Sequence, residues 1–328
     1  MFITMSSQRL VVVIGATGAQ GGSVISTLLK DPSYKLRAVT RNPTSEAAQK
    51  LSTQGVEIVS ANLDDKFSLI AAFRGANIIF AVTNFWETFA TQGPVAAESN
   101  DFTQGKNLAD AAASTSTLEH YIWSAIPSGL SITNGKASVP HFEGKAKVDE
   151  YIIHSLPDLA TKTTFLWVTY YGLNNLYFPM LVPNFIKSSG KYVVMWPVAE
   201  DTLVTTIGSP YVNVGLFVEG VLKNPELCLP SKYVLAESDT VTTGELVKLL
   251  ADISGKPIEY LQVTEADYER LWPVWGTEVA VQMVAWEVAK ERSWSKEGVK
   301  VVTKEDLKIK GLVGLRKVLE GADMSIVL

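Results

Sequence analysis

The sequence predicts an α/β protein built on a doubly wound parallel sheet. An apolar run at 10–14 leads directly into glycines at positions 15, 18 and 21, and an amphipathic helical pattern follows at once. Apolar strand segments then alternate with helical segments up to about residue 169, as in parallel sheets covered on both faces. From residue 170 the composition changes, which predicts a smaller C-terminal lobe over the same sheet edge.

The composition excludes several classes of function. The chain has 328 residues, of which 19% are charged and 47% hydrophobic, as in a compact globular protein. The formal net charge is −5 without a long basic run, so we expect no direct nucleic-acid binding. A single cysteine, Cys228, excludes an internal disulfide framework and favours a reducing compartment. His120, His141 and His154 are too scattered in sequence to indicate a metal site.

We also expect no membrane segment. The first nine residues lack the features of a signal peptide, and no apolar run has the length that a bilayer requires. These observations favour a cytoplasmic location, or a nuclear one for a regulator. They leave the oligomeric state open.

The glycine-rich turn after the first strand favours binding of a dinucleotide. Glycine tolerates unusual backbone angles and lets a pyrophosphate approach the main chain, while the helix N-terminus offers free N–H groups. The alternative is an ordinary glycine-rich turn, but strand, turn and helix agree here. The residues expected at the cofactor are Gly15, Thr17, Gly18, Ala19, Gln20 and Gly21.

The second strand, predicted at 36–40, ends beside a basic residue. In dinucleotide-binding folds an acidic residue at this point accepts from the ribose of NAD, whereas a basic one pairs with the additional phosphate of NADP. Here Thr40 and Arg41 occupy the position without a carboxylate. Although Arg41 can also be a solvated loop charge, its position favours NADP(H).

The remaining elements of the first domain follow in order. Helices are predicted at 45–54, 67–73, 104–113 and from about 142, and strands at 56–60, 76–83, 120–124 and 163–168. The loop after the third strand places Leu63 near an adenine ring. Asn84, Phe85 and Trp86 follow the fourth strand, where we expect them to line the nicotinamide side of the cleft, with Asn84 among the cofactor-binding residues. Ser124 ends the fifth strand. The segment 125–140 is predicted to be a loop.

The second domain is assigned to 170–328, with some elements returning to the large sheet. Strands are predicted at 191–197, 201–207, 232–235 and 258–263, and helices at 211–222, at 243–253 with Thr243 as N-cap, and from Thr264. No motif is found in 279–328.

Aromatic side chains concentrate after the sixth strand. We expect the backbone of Tyr170 and the ring of Phe85 to contact the nicotinamide. A substrate pocket is predicted from Trp86, Tyr171, Asn174, Tyr177, Phe178 and Trp196. Aromatic residues also pack in cores and line partner-protein surfaces. The same residues can therefore belong to the core or to a partner-binding surface instead of a small-molecule pocket.

Four motifs in order resemble the NmrA-like branch of the atypical short-chain dehydrogenase/reductase superfamily. They are GATGAQGG at 15–22, VTRNP at 39–43, VTNFWE at 82–87 and H-F-x-x-K-x-x-V-x-x-Y at 141–151. The resemblance implies a Rossmann-type fold and NADP(H). It leaves activity open, because some members are reductases, others are regulators that bind a dinucleotide and a partner protein, and a few are implicated in rearrangements.

The resemblance also implies a set of catalytic residues. Reduction in this fold normally uses a tyrosine four residues before a lysine, with a serine at the end of the fifth strand. In this sequence His141 stands in the tyrosine position before Lys145, and Ser124 is the serine. His141 is either a proton donor or a hydrogen-bonded residue at a helix start, since regulators of the family share it. Lys145 is expected to bind the ribose in both classes.

The leading hypothesis is an NADPH-dependent oxidoreductase that reduces a carbonyl, imine or conjugated double bond of a small hydrophobic, aromatic metabolite. The alternatives are a non-catalytic NADP(H) sensor that binds a partner protein, and a non-redox isomerase or cyclase that uses the same pocket.

Overall fold

A computed structural model describes residues 8–326 of the chain. The strands are β1 (Arg9–Ile14), β2 (Tyr34–Thr40), β3 (Glu57–Ser60), β4 (Ile78–Ala81), β5 (His120–Ala125), β6 (Thr163–Val168), β7 (Tyr170–Tyr171), β8 (Asn184–Ile186), β9 (Lys191–Trp196), β10 (Leu203–Gly208), β11 (Lys232–Ala236), β12 (Asp239–Thr242) and β13 (Ile258–Gln262).

The helices are α1 (Ala19–Leu28), α2 (Glu46–Thr53), α3 (Lys66–Ala72), α4 (Phe85–Ala113), α5 (Gly129–Ile132), α6 (Pro140–Ser155), α7 (Pro157–Ala160), α8 (Asn174–Tyr177), α9 (Pro210–Lys223), α10 (Pro225–Cys228), α11 (Thr243–Ser254), α12 (Glu265–Leu271), α13 (Trp275–Ala289) and α14 (Leu315–Glu320). Short 3₁₀ helices span Lys290–Trp294 and Met324–Ile326.

A seven-stranded parallel sheet forms the centre of the fold, in the order β11-β6-β5-β4-β1-β2-β3. Its two faces are covered by separate apolar cores. Val11 and Val13 enter the core with α1 and α9, whereas Val12 and Ile14 enter the core with α3, α4 and α6. This alternation explains why the predicted first strand is apolar without interruption, and it confirms the Rossmann-type fold.

The strand order reverses between β1 and β4, and the carboxyl ends of these strands open a crevice there. The glycine turn follows β1 and helix α4 follows β4, so both lie at this crevice. Ligands of doubly wound sheets bind at such a reversal.

The C-terminal part of the chain divides its elements between two places. Two three-stranded sheets, β12-β10-β7 and β13-β9-β8, belong to the lobe, and a third core around Trp196, Tyr268 and Met283 supports it. In contrast, β11 adds to the edge of the large sheet, and α9 packs against α1. The division at residue 169 itself stays a prediction.

Three local predictions are corrected by the structure. Helix α4 begins at Phe85 rather than at 104. It bends at Gly93, which has a non-helical φ of 79° and is followed by Pro94. The segment 125–140 contains the short helix α5, and α6 begins at Pro140. The N-cap of α11 is Thr242, which forms a capping box with Glu245. No helix within residues 8–326 combines the length and apolar character needed to cross a membrane.

Candidate functional site

The glycine turn after β1 is shaped by close backbone contacts. Gly15 has a φ of +65°, in the left-handed region that glycine adopts without strain. The N–H of Gly18 donates to the carbonyl of Gly15 over 2.9 Å. A Cβ atom at Gly21 would lie 2.4 Å from that same carbonyl oxygen, so only glycine fits there. The turn therefore brings α1 directly against the end of β1.

The N-terminus of α1 is open to an anion. Its N-cap, Gly18, provides no side-chain hydrogen bond, and the first turn contains no acidic residue. Thr17 and Gly18 are exposed. Because the first N–H groups of a helix lack partners within it, this end provides donors and a positive dipole for a pyrophosphate. The turn thus fits the phosphate group of a dinucleotide.

Gln20 connects the turn to the fifth strand and to the lobe. Its Oε1 accepts from Oγ of Ser124 over 2.7 Å, and its Nε2 donates to the hydroxyl of Tyr171 over 2.8 Å. Burial raises the pKa of Tyr171 to about 12, and the bond from Gln20 opposes that shift. The Ser124 hydroxyl therefore points toward the start of α1.

Arg41 forms a two-point ion pair with Glu87 in the first turn of α4. Nη1 lies 2.6 Å from Oε1 and Nη2 lies 2.9 Å from Oε2. The hydrogen bonds raise the pKa of Arg41 and lower the pKa of Glu87. The Arg41 and Glu87 side chains are 64% and 53% exposed, so an incoming phosphate can reach the guanidinium by displacing the carboxylate.

The loop after β3, which was predicted to pass the adenine ring, is fixed to α4. Asn107 donates from Nδ2 to the carbonyl of Leu63 over 2.9 Å, and Gln104 donates to Asp64 over 2.9 Å. Asn84, the N-cap of α4, is exposed and makes no capping bond with its side chain. Its amide therefore faces solvent at the end of β4.

Lys145 is held in a buried ion pair. Its Nζ donates to both carboxylate oxygens of Asp101 at 3.0 Å and to Oγ1 of Thr83 at 2.8 Å. Lys145 is 7% exposed and Asp101 is 1% exposed. Helices α4 and α6 approach closely at two glycines: a Cβ at Gly144 would lie 2.9 Å from Asp101, and one at Gly105 would lie 2.4 Å from Val148. This packing brings the carboxylate to the lysine.

His141, one turn before Lys145, contacts helix α13 of the lobe. Its Nδ1 lies 2.5 Å from Oε1 of Glu278, which also accepts from the His141 backbone N–H over 3.1 Å. Its Nε2 lies 2.8 Å from Oε1 of Gln282. The ring is buried, and both nitrogens are occupied. A carboxylate that holds an imidazole at Nδ1 fixes the orientation of the ring.

The three expected catalytic residues thus have separate partners. Ser124 pairs with Gln20, Lys145 with Asp101, and His141 with Glu278. Within residues 8–326 no hydrogen bond joins Ser124, His141 and Lys145 to one another. Their roles in one reaction remain a proposal.

A cluster of aromatic rings covers His141 at the mouth of the crevice. The Trp86 ring centroid is 5.0 Å from that of His141, and Trp86 stacks on Trp275 with 5.6 Å between centroids and 9° between planes. Phe85 lies 5.6 Å from His141, and Phe178 lies 6.1 Å from Trp86. These rings pack mainly on one another and make the mouth apolar.

Tyr170, whose backbone was predicted to contact the nicotinamide, and the other predicted pocket residues lie in different surroundings. Tyr170 donates from its hydroxyl to Asn175 over 3.1 Å, and its carbonyl accepts from Thr206 over 2.6 Å. Asn174 begins the short helix α8, and Tyr177 at its end is 59% exposed. Trp196 differs most from the prediction.

Trp196 lies inside the lobe, where it is 1% exposed and packs against Tyr260. It belongs to the lobe core around Tyr268 and Met283. This is a correction, because a large apolar ring on β9 is buried by its own sheet and helices rather than presented at the crevice.

Asp101, Glu278 and Gln282 are site residues that sequence reasoning missed. Glu278 and Gln282 are spaced i and i+4 on a helix that is otherwise rich in apolar residues, a pattern that places two polar groups on one buried side. Asp101 has a weaker signal, because it is identified only once α4 is known to extend past Gly93 and to pack on α6.

The fold and the glycine turn define a Rossmann-type dinucleotide-binding class of α/β protein. The sequence model of the NmrA-like family matches residues 7–318, and the chain belongs to that family. One relative is an NmrA-like family domain-containing oxidoreductase, hkm9, of Aspergillus hancockii. It is 30% identical over 265 residues, which cover 78% of this chain and 75% of the relative.

Two solved structures are similar in fold. NmrA, a negative transcriptional regulator solved in complex with NAD, superimposes with a TM-score of 0.73 at 19% identity, over 96% of this chain and 95% of that one. Triphenylmethane reductase of Citrobacter sp., solved with NADP(H), has a TM-score of 0.68 at 21% identity, over 94% of this chain and 99% of that one. One neighbour is a regulator and the other a reductase.

Proposed function

We propose that the protein is an NADP(H)-dependent oxidoreductase that reduces a carbonyl, imine or conjugated double bond of a small hydrophobic, aromatic metabolite. The observation that carries the proposal is the pairing of His141 with Glu278 under the aromatic mouth, one turn before Lys145. A buried imidazole held by a carboxylate is suited to proton transfer. The relatives named as oxidoreductases and the solved reductase support the same reaction class.

The residues present fit the cofactor. The open N-terminus of α1 suits the pyrophosphate, Arg41 suits the 2′-phosphate, and Lys145 suits the nicotinamide ribose. When bound, the nicotinamide supplies the hydride. Asp101 and Thr83 hold the lysine ammonium in place, which limits its loss of conformational entropy on binding.

The substrate oxygen or nitrogen acquires the proton from the protein. Glu278 orients the His141 ring through Nδ1, so Nε2 is the atom from which a proton leaves. Gln282 occupies that nitrogen and must turn aside when a substrate enters. Ser124 lies at the end of β5, where its hydroxyl can exchange Gln20 for a substrate oxygen.

A regulator that senses NADP(H) is the second candidate. The observation that favours it is the stacking of Trp86 on Trp275, which leaves the aromatic mouth filled by its own side chains. Such a protein binds the dinucleotide tightly and contacts a partner without turnover. A non-redox isomerase or cyclase, the third alternative, requires only the acid–base pair.

The experiment is incubation of the purified chain with NADPH and a panel of aromatic ketones, imines and enones. The proposal predicts loss of nicotinamide absorbance together with a product two hydrogens heavier than its substrate. Lys145→Met abolishes that turnover, and Lys147→Met, on the exposed side of the same helix, preserves it. Tight NADPH binding without turnover supports the regulator, and a product of unchanged mass supports the isomerase; either result contradicts the oxidoreductase.

A further inference from the structure

A cavity lies on another side of helix α6 from His141 and Lys145. It measures about 440 Å³, a volume typical of small-molecule sites. Its walls come from α4, α5, α6, β6, β11 and the segment after α13. None of the residues predicted for the cofactor, the catalysis or the substrate pocket lines it.

Asp149 gives this cavity its chemical character. The residue lies one turn after Lys145, lines the cavity and is 3% exposed. Its Oδ1 has no hydrogen-bond partner within the described part of the chain, and the same holds for the indole N–H of Trp167, another lining residue. A buried carboxylate oxygen without a donor is energetically unfavourable. A ligand that supplies a donor would relieve this.

The other charged groups of the cavity already have partners. Glu143 accepts from Oγ of Ser128 over 2.8 Å and from the backbone N–H of Leu130 over 3.0 Å. Glu150 accepts from Nζ of Lys296 over 2.7 Å, and Lys147 donates to Glu98. The indole of Trp123 and the hydroxyl of Tyr233 also face the Asp149 carboxyl, but neither forms a hydrogen bond with its Oδ1. Asp149 is therefore the lining carboxylate that is left to pair with a ligand.

The surroundings select a cation with an aromatic body. The three lining carboxyl groups, Glu143, Asp149 and Glu150, outnumber the two lining ammonium groups, Lys147 and Lys296, so the site favours a cation over an anion once Asp149 is ionised. The rings of Phe102, Tyr151, Trp167 and Tyr233 line the walls. Lys296 already lies over the Tyr233 ring, with Nζ 5.0 Å from the ring centroid, so an incoming ammonium group is left to pair with Asp149 while its aromatic body packs on the walls.

We propose that the cavity beside Asp149 is a second ligand site, separate from the glycine turn, which binds a small aromatic amine in its protonated form. The ammonium donates to the Asp149 carboxylate, and the ring packs among the aromatic walls. This inference does not depend on the proposed reductase activity.

Binding is linked to the proton of Asp149. Burial raises the pKa of this carboxyl well above its usual range, and the charge of Lys296 opposes the shift. Two titratable side chains from other elements face Asp149: Tyr233 on β11 and Lys296 after α13. On its own helix the titratable residues of the cavity are Glu143, Lys147, Glu150 and Tyr151. Because the amine pairs with the ionised form, its binding favours release of the Asp149 proton and tightens as pH rises, as long as the amine itself stays protonated.

Isothermal titration calorimetry of the full chain tests the site with three matched probes. These are 2-phenylethylamine, neutral 2-phenylethanol and anionic 3-phenylpropanoate. The amine is expected to bind at least about tenfold more tightly than the alcohol, the difference typical of a hydrogen bond between charged groups. The acid is expected to bind most weakly. Binding of all three with equal affinity, or of none, overturns the proposal.

Variants locate the binding. Asp149→Asn should weaken binding of the amine about tenfold and leave binding of the alcohol unchanged. Asp158→Asn, outside the cavity, should change neither affinity. Ala146→Phe fills the cavity and should abolish binding of both probes, which keeps the test valid if Asp149→Asn does not fold. Undiminished amine binding in Ala146→Phe, or displacement of the amine by saturating NADP⁺, would place the probe elsewhere and refute the site.

Discussion

Nδ1 of His141 lies 2.5 Å from Oε1 of Glu278, and this contact connects helix α6 beside the large sheet to helix α13 of the lobe. The imidazole that replaces the usual tyrosine is therefore held by a residue more than a hundred positions later in the chain. The position of the lobe and the position of the acid–base group depend on one another through this contact.

Replacing Glu278 by Gln should lower kcat more than it changes KM. The amide retains an oxygen that accepts from the imidazole, but a neutral amide is a weaker acceptor than a carboxylate and holds the ring less firmly. We expect a decrease in kcat of about 100-fold, at the low end of general acid–base effects. Glu291→Gln, at an exposed position just after α13, is the matched control. An unchanged kcat in Glu278→Gln would remove the pair from the mechanism.

Replacing Glu87 by Gln should improve NADPH binding. The carboxylate competes with the 2′-phosphate for Arg41 and repels it, so its removal should lower the Kd for NADPH about threefold to tenfold and leave NADH unaffected. Arg41→Ala should have the opposite effect on NADPH. Fluorescence titration of both cofactors measures the preference. If Arg41→Ala binds NADPH and NADH as the parent does, the 2′-phosphate does not lie at Arg41.

Gly21→Ala and Gly22→Ala form a matched pair. A Cβ at Gly21 would lie 2.4 Å from the carbonyl oxygen of Gly15, whereas one at Gly22 would lie 3.4 Å from that of Ala16, an ordinary contact. Gly21→Ala should lower the free energy of unfolding by about 1–3 kcal/mol and abolish dinucleotide binding. Gly22→Ala should do neither, as urea unfolding and titration can show. Full NADPH affinity in Gly21→Ala would contradict the role of the turn.

His120 should make the protein less stable in acid. Burial lowers its pKa to about 4 from the ordinary 6.5, and its Nε2 lies 2.7 Å from Oγ1 of Thr164. The unfolded chain thus binds the proton at higher pH than the folded one. The contribution of His120 to the free energy of unfolding is therefore complete above pH 6.5. It is lost as pH falls toward 4, and the loss is about 3 kcal/mol in total.

Urea unfolding at several pH values measures this effect in three proteins. His120→Gln should flatten the acid dependence of the unfolding free energy between pH 6.5 and pH 4. His154→Gln, at an exposed histidine paired with Glu150, should retain it. Parallel curves for the parent and His120→Gln would show that His120 does not titrate in this way.

The fold was predictable because its signals are local. The run at 10–14 and the glycines at 15, 18 and 21 determine a strand, a turn and a helix within about 20 residues, and β1 is buried on both faces as predicted. The position of Thr242 rather than Thr243 at the N-cap shows the usual uncertainty of one residue at a helix end.

The site was less predictable because its partners are distant in sequence. Lys145 and His141 were identified from the family resemblance and its spacing of four residues on one helix. Asp101 and Glu278 reach them only through helix packing. The prediction that Trp196 lines the pocket was wrong because an aromatic residue carries the same sequence signal in a lobe core as in a pocket. Pairing between helices is set by tertiary packing, which periodicity does not record.

The central claim is hydride transfer, and deuterium labelling tests it most directly. NADPH deuterated at the transferable position of the nicotinamide is incubated with the chain and the panel of aromatic ketones, imines and enones, and the products are analysed by mass spectrometry. We predict one deuterium in the reduced product with the parent protein and with Lys147→Met, and none with Lys145→Met. Tight binding of the labelled NADPH without deuterium in any product would contradict the proposed oxidoreductase.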